Sequence, residues 1–165
     1  MLKAFKVQEK DFSSDLYHPI FVFDEDRRLD NTFSVLQTDW GDIFLSYYDY
    51  NLPLQYLLKG AVLFLKFGTS CAVVNLDSKE MIYHQKGPFA MIFEIIDVEE
   101  KKIILMIGEL TAKFFHYQGK LLSDVGCHEI ITDWNISEKG TEIIYFDDSH
   151  DMIEWNKIED SLTDN

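Results

Sequence analysis

A dozen short runs of β-branched and aromatic residues follow one another along this chain, most of them bounded by glycine, aspartate, asparagine or serine. They cover residues 20–23, 32–36, 42–48, 61–67, 72–76, 81–84, 89–96, 102–107, 112–117, 129–132, 142–146 and 152–155. Runs of this length and composition read as strands. None sustains the 3.6-residue apolar period of an amphipathic helix. Turn-forming clusters recurring about every 8–12 residues mark an all-β sandwich or barrel. The expected fold is therefore all-β: a single-domain antiparallel sandwich or barrel-like meander of about 10–12 strands with little helix. Helix is expected only over residues 54–59, which follow Pro53, and in the tail after Trp155. Residues 3–15 are weakly patterned and fit strand or loop.

The strands carry an internal echo. Gly41, Gly68, Gly108 and Gly140 each open a segment that runs into an apolar strand and turns back. Two return turns also look alike, residues 76–82 and 146–153. Propeller-like repeated hairpins are thus the alternative architecture; a plain meander of hairpins gives the same resemblance.

At 165 residues, with 47% apolar side chains, the chain has the size of one domain and the material for a core, and it is not intrinsically disordered. It has no Gly/Ser linker or proline-rich tract, so residues 1–165 read as a single all-β domain, with 157–165 as a loose acidic tail. Pro19 and Pro88 each precede a strand, where a missing N–H does little harm. The first residues hold no apolar run of secretory-signal length. The longest apolar stretch, 60–67, is broken by Lys66 and is too short to span a bilayer as a helix. Two cysteines are too few for a disulfide framework, so a cytoplasmic location is expected. Cys71 sits in an apolar strand and reads as core, and Cys127 has no second ligand at a metal-like spacing.

Charge is the most informative feature for function. The formal net charge is −14, which argues against nucleic acid and anionic membranes as partners. From Ser123 to Asn165, 12 acidic residues are opposed only by Lys139 and Lys157, so this segment carries −10. The other 122 residues hold 17 acids and 13 bases, a balance of −4. Trp134, Tyr145, Phe146 and Trp155 are interleaved with these acids. Carboxylates around aromatic anchors suit a basic protein partner.

Catalytic and metal motifs are weak. Asp24, Asp26 and Asp30 resemble the start of a calcium loop, but Arg28, Leu29 and Val35 stand where its later ligands and glycine belong. Residues 147–151, Asp-Asp-Ser-His-Asp, cluster carboxylates with a histidine but equally supply turn hydrogen bonds. His18, His84, His116, His128 and His150 show no zinc-site spacing, and no nucleophile elbow, P-loop or GxGxxG occurs. No cofactor or metal is expected. The chain is expected to be a non-catalytic acidic protein-binding module. The specific form is an immunity protein that binds and occludes a basic bacterial toxin domain of nuclease type. The residues expected to bind the partner are Asp133, Trp134, Tyr145, Asp147, Asp148, Asp151, Glu154 and Trp155. The alternatives are a β-rich scaffold or assembly subunit whose acidity serves solubility and, third, a hydrolase with a scattered His/Asp site.

Overall fold

The structure, a computed structural model, describes residues 2–9, 18–25, 31–87 and 91–159. It is all-β. Among the described residues there are fifteen strands in four separate sheets, none closed into a barrel, with one short helix. The chain divides into two compact units, residues 1–88 and 89–165.

In the first unit, β1 (Lys3–Val7), β2 (Pro19–Asp24), β3 (Thr32–Thr38) and β4 (Gly41–Tyr47) form one sheet in the order β1-β3-β4-β2. The β2–β4 pairing is parallel, whereas the other strand pairs among the described residues are antiparallel. A second sheet is a plain meander of β5 (Gln55–Lys59), β6 (Val62–Phe67), β7 (Ser70–Asn75) and β8 (Glu80–Gln85). The two share one core, in which Phe23, Leu36, Ile43 and Leu45 meet Leu63, Leu65, Phe67 and Val74.

In the second unit, the meander β9 (Ile92–Val98), β10 (Ile103–Gly108), β11 (Thr111–His116) and β12 (Leu121–Gly126) forms the third sheet. The fourth has three strands: β13 (Ile131–Ile136), β14 (Gly140–Tyr145) and β15 (His150–Glu154). Helix α1 (Trp155–Glu159) follows at once. The core of this unit joins Ile103, Leu105, Ile107 and Phe114 to Ile131, Ile143, Tyr145, Trp155 and Ile158.

Strands β6 and β10 are buried at every position, on both faces. That is why their sequences are continuous apolar runs and do not alternate. Each unit also takes a lysine inside. Lys66 on β6 is fully buried and donates to the Pro53 carbonyl at 3.2 Å. Lys113 on β11 lies directly across from Asp124 on β12, and their side chains meet at 2.6 Å. The ammonium is out of water but neutralised in place.

The glycine echo has a structural basis. Gly41, Gly68, Gly108 and Gly140 lie at the turns of the hairpins β3–β4, β6–β7, β10–β11 and β13–β14, one in each sheet. Gly68 has φ of +56°, and a Cβ there would run into the Tyr48 carbonyl oxygen, so only glycine fits. The two similar return turns are those of β7–β8 and β14–β15, and each sets a non-glycine residue in the left-handed region: Lys79 at φ 55° and Asp148 at φ 62°. The left-handed conformation costs an ordinary L-residue about 1–2 kcal/mol, less the roughly 0.5–1 kcal/mol of chain entropy that glycine loses on folding. Lys79→Gly should therefore stabilise the first unit by about 0.5–1 kcal/mol. A urea midpoint unchanged or lowered in that variant would contradict this.

Several expectations are corrected. Residues 54–59 were expected to be helical, yet Gln55–Lys59 is strand β5, paired along its length with β6. Five residues cannot support a helix alone, and the neighbouring strand supplies the ladder instead. Three strands beyond the expected dozen, β1, β5 and β12, raise the number to fifteen among the described residues. In the segment read as a loose tail, residues 157–159 end α1 and Ile158 is buried in the core. Residues 160–165 lie outside the described residues, as do Asp26, Arg28, Leu29 and Asp30 of the calcium-like run. No helix among the described residues is long and apolar enough to cross a membrane.

Candidate functional site

Residues paired across an antiparallel ladder point to the same face of the sheet. Asp133 pairs with Ile144, Asn135 with Glu142, Glu142 with Met152, Ile144 with His150 and Gly140 with Glu154. One face of the fourth sheet therefore carries Asp133, Asn135, Glu142, His150, Met152 and Glu154. The opposite face carries Trp134, Ile143 and Ile153 toward the core, and Asp151, which stays exposed. His150 Nδ1 lies 3.0 Å from Glu142 Oε1 on the outward face.

The β14–β15 turn adjoins this face. Tyr145 N–H donates to the Ser149 carbonyl at 3.0 Å and Asp148 N–H to the Tyr145 carbonyl at 3.0 Å. This is a three-residue hairpin loop with Asp148 in the left-handed position. Asp147 accepts from Ser149 N–H at 3.0 Å and from its hydroxyl. Those bonds hold the Asp147 carboxyl below the usual range, so the turn keeps its negative charge as pH falls. Beside it, Phe146 is 73% exposed, the most open large apolar side chain among the described residues.

The eight sequence-predicted residues thus separate into groups. Asp133 and Glu154 share the outward face of the fourth sheet, and Asp147 and Asp148 lie in the adjoining turn. Trp134 is half-buried against the core at the β13 edge. Tyr145 and Trp155 are core residues, each 2% exposed. They are already out of water and offer a partner no surface to desolvate. Trp155 packs edge-on against Phe114 and donates its indole N–H to the Ser137 carbonyl at 2.9 Å. Asp151 shares the sheet face of Ile143 but stays exposed, and it accepts from the Tyr145 hydroxyl at 2.8 Å. Glu142 and Met152 were absent from the expected set. Alternation along β14 and β15 could have placed them, once the strand register was known.

Around Tyr145 a second cluster forms. The His128 ring lies 4.5 Å from the Tyr145 ring, and its Nδ1 is 4.0 Å from Asp151 Oδ2. Burial pushes the Cys127 thiol up, and the charges of Asp151 and Asp124 act in the same direction. The thiol is the resting form, which is a poor nucleophile. Burial first, then the hydrogen bond to Asp151, pushes the Tyr145 phenol up strongly. The unfolded phenol ionises near pH 10 while the folded one keeps its proton. This contribution to stability is therefore complete below about pH 10 and is lost as pH rises above it. Tyr145→Phe should lower the urea midpoint at pH 8, and the gap between variant and wild type should narrow by pH 11. A gap that widens would refute the assignment.

No group of three or more metal-binding side chains occurs among the described residues. In the first unit an open cleft of about 660 Å³ is lined by Phe5, Lys6, Tyr47, Asp49, Leu54 and Tyr56, among others. The Asn51 backbone N–H holds the Asp49 carboxyl below its usual range. None of the predicted partner-binding residues lines this cleft. His84, elsewhere in that unit, is 3.2 Å from Glu25 and packs between Phe23 and Phe67.

No protein-family model matches the chain, and no curated protein matches it. Among solved structures, Hsv2 from Kluyveromyces lactis is similar over 62% of this chain, at 14% identity and a TM-score of 0.37. The chain spans only about a third (33%) of the length of that protein. The computationally designed Ika4 protein is similar over 86% of this chain and 94% of its own, at 10% identity and a TM-score of 0.44.

Proposed function

We propose that this chain is a non-catalytic protein-binding module whose fourth sheet docks a basic protein. In its specific form it is a cytoplasmic immunity protein that occludes a nuclease-type toxin domain in a bacterium. The observation that carries the reading is the grouping of Asp133, Glu142 and Glu154 on one face, with Asp147 and Asp148 in the adjoining turn beside exposed Phe146. A nuclease presents lysines and arginines to phosphates. Carboxylates on a fixed sheet stand in for those phosphates and make charge-assisted hydrogen bonds with the same side chains. Phe146 supplies apolar contact at the edge of the patch, the kind of anchor on which binding energy concentrates. The long-range field of the acidic segment speeds encounter.

The test is capture from the native cell with wild-type protein and with a Phe146→Ala, Glu142→Lys variant, followed by identification and assay of what binds. The reading expects a basic protein that the variant retains poorly, whose nucleic-acid cleavage stops on adding one equivalent of this chain. Equal retention by both proteins, or cleavage that continues in the complex, would overturn it.

A further inference from the structure

Among the described residues the fourth sheet has three strands where the other sheets have four. In the other three, the strand ahead of the central glycine hairpin has an outer neighbour: β1 lies beside β3, β5 beside β6 and β9 beside β10. Among the described residues no strand lies outside β13. Burial follows the same division: β6 and β10 are buried at all six positions and β3 at three, whereas β13 is buried only at Ile131.

The hydrogen-bond phase shows what this edge offers. Ser137 N–H donates to the Gly140 carbonyl at 2.9 Å, which makes that pair hydrogen-bonded. Hydrogen-bonded and non-hydrogen-bonded pairs alternate along an antiparallel ladder. Ile136 opposite Thr141 and Trp134 opposite Ile143 are then non-hydrogen-bonded pairs, so their N–H and C=O groups point away from β14. The Trp134 N–H is met by Asp133 Oδ1 of its own strand at 2.8 Å. A side-chain carboxylate thus stands where the carbonyl of an adjacent strand would lie. Such a local cap keeps a sheet edge from indiscriminate pairing.

We infer that β13 is completed by an extended basic strand of the partner protein, added edge to edge as the fourth strand of this sheet. The inference rests on the docking function proposed above and names how the partner is held. The chemistry of the occupant follows from the two faces of the edge. Toward the core side, Trp134 and Ile136 are half-buried and call for apolar side chains at every second position. Toward the outward face the edge carries Asp133 and Asn135, with Glu142 one strand further in, and calls for lysine or arginine at the alternate positions. Glu129 and Glu138 flank the strand at either end, with only Lys139 near them in sequence. A second copy of this chain would bring its own acids against these and is disfavoured by like charge. Main-chain bonds then give affinity and the alternating side chains give selection.

The probe is an eight-residue peptide of alternating lysine and valine, compared with the same peptide N-methylated at two adjacent central amides so that neither edge can pair. Charge is identical in the two. The expected result is binding of the first peptide at low salt, at least ten-fold weaker binding of the second, and slowed amide exchange at Trp134 and Ile136 in the first complex. Equal binding of both peptides would overturn strand addition while leaving the basic-partner reading intact. Failure of both to bind would overturn the two together. Exchange at Trp134 and Ile136 already slow in the free protein would also overturn the inference. Dependence on protein concentration would then assign the edge to a second copy, and independence to another segment of this chain.

Discussion

Lysine placed at Asp133, Asp148 and Glu154 together should slow capture of a basic partner by about ten- to a hundred-fold at low salt, with the effect fading as salt is raised. Three reversals change the formal charge from −14 by six units, to −8. The loss falls on the face and adjoining turn proposed to meet the partner. These three positions are chosen because the fold leans on them little. Glu154 pairs with Lys157 at 3.8 Å on the surface. Asp133 caps its own neighbour. Asp148 occupies a left-handed position of the kind that Lys79 and Lys102 already fill. Asp147 and Asp151 are poorer choices, since one holds the turn and the other receives the Tyr145 hydroxyl. The measurement is stopped-flow association across a salt series, with thermal unfolding as the control for folding. An association rate unchanged at low salt would sink the docking face.

Trp155→Ala should destabilise the second unit by about 3–5 kcal/mol, the usual cost of emptying a core site of this size. Trp155 is 2% exposed, lies against Phe114, and its indole N–H holds the Ser137 carbonyl that precedes the β13–β14 turn. The substitution leaves a cavity and also a carbonyl without its donor. For a unit of this size the melting temperature should fall by more than about 10 °C. Phe146→Ala, at a 73% exposed position, should shift stability by less than about 0.5 kcal/mol. The two aromatics therefore separate cleanly: one variant loses stability, the other keeps it and binds its partner less well. A stable Trp155→Ala protein with weakened binding would reverse the assignment of these residues.

Both aromatics sit beside acids in the sequence, Trp155 after Glu154 and Phe146 before Asp147, and nothing local distinguishes them. Trp155 is drawn inside because the chain leaves β15 and begins α1 there, turning the indole onto β11. Phe146 is left outside because it is the first residue of a three-residue loop, past the last core position of β14. The same limit explains Asp151. Alternation along 150–154 predicts two faces, and the pairing with Ile143 puts Asp151 on the face of Tyr145, whose hydroxyl it accepts while remaining exposed. The misread helix at 54–59 has a related cause: a five-residue run after proline is compatible with either structure until a partner strand claims it.

What sequence alone determined is the part governed by short-range chemistry. β-branched and aromatic runs bounded by turn formers commit the backbone to strands, one glycine per sheet places a central hairpin, and the net charge of the last segment is a matter of counting. Only the tertiary structure decided which side chains of that segment are surface, which strands share a sheet, and that the fourth sheet has three strands among the described residues. Those outcomes depend on register and on contacts between residues far apart in the chain. A shift of one residue exchanges the two faces of a strand without altering any local preference.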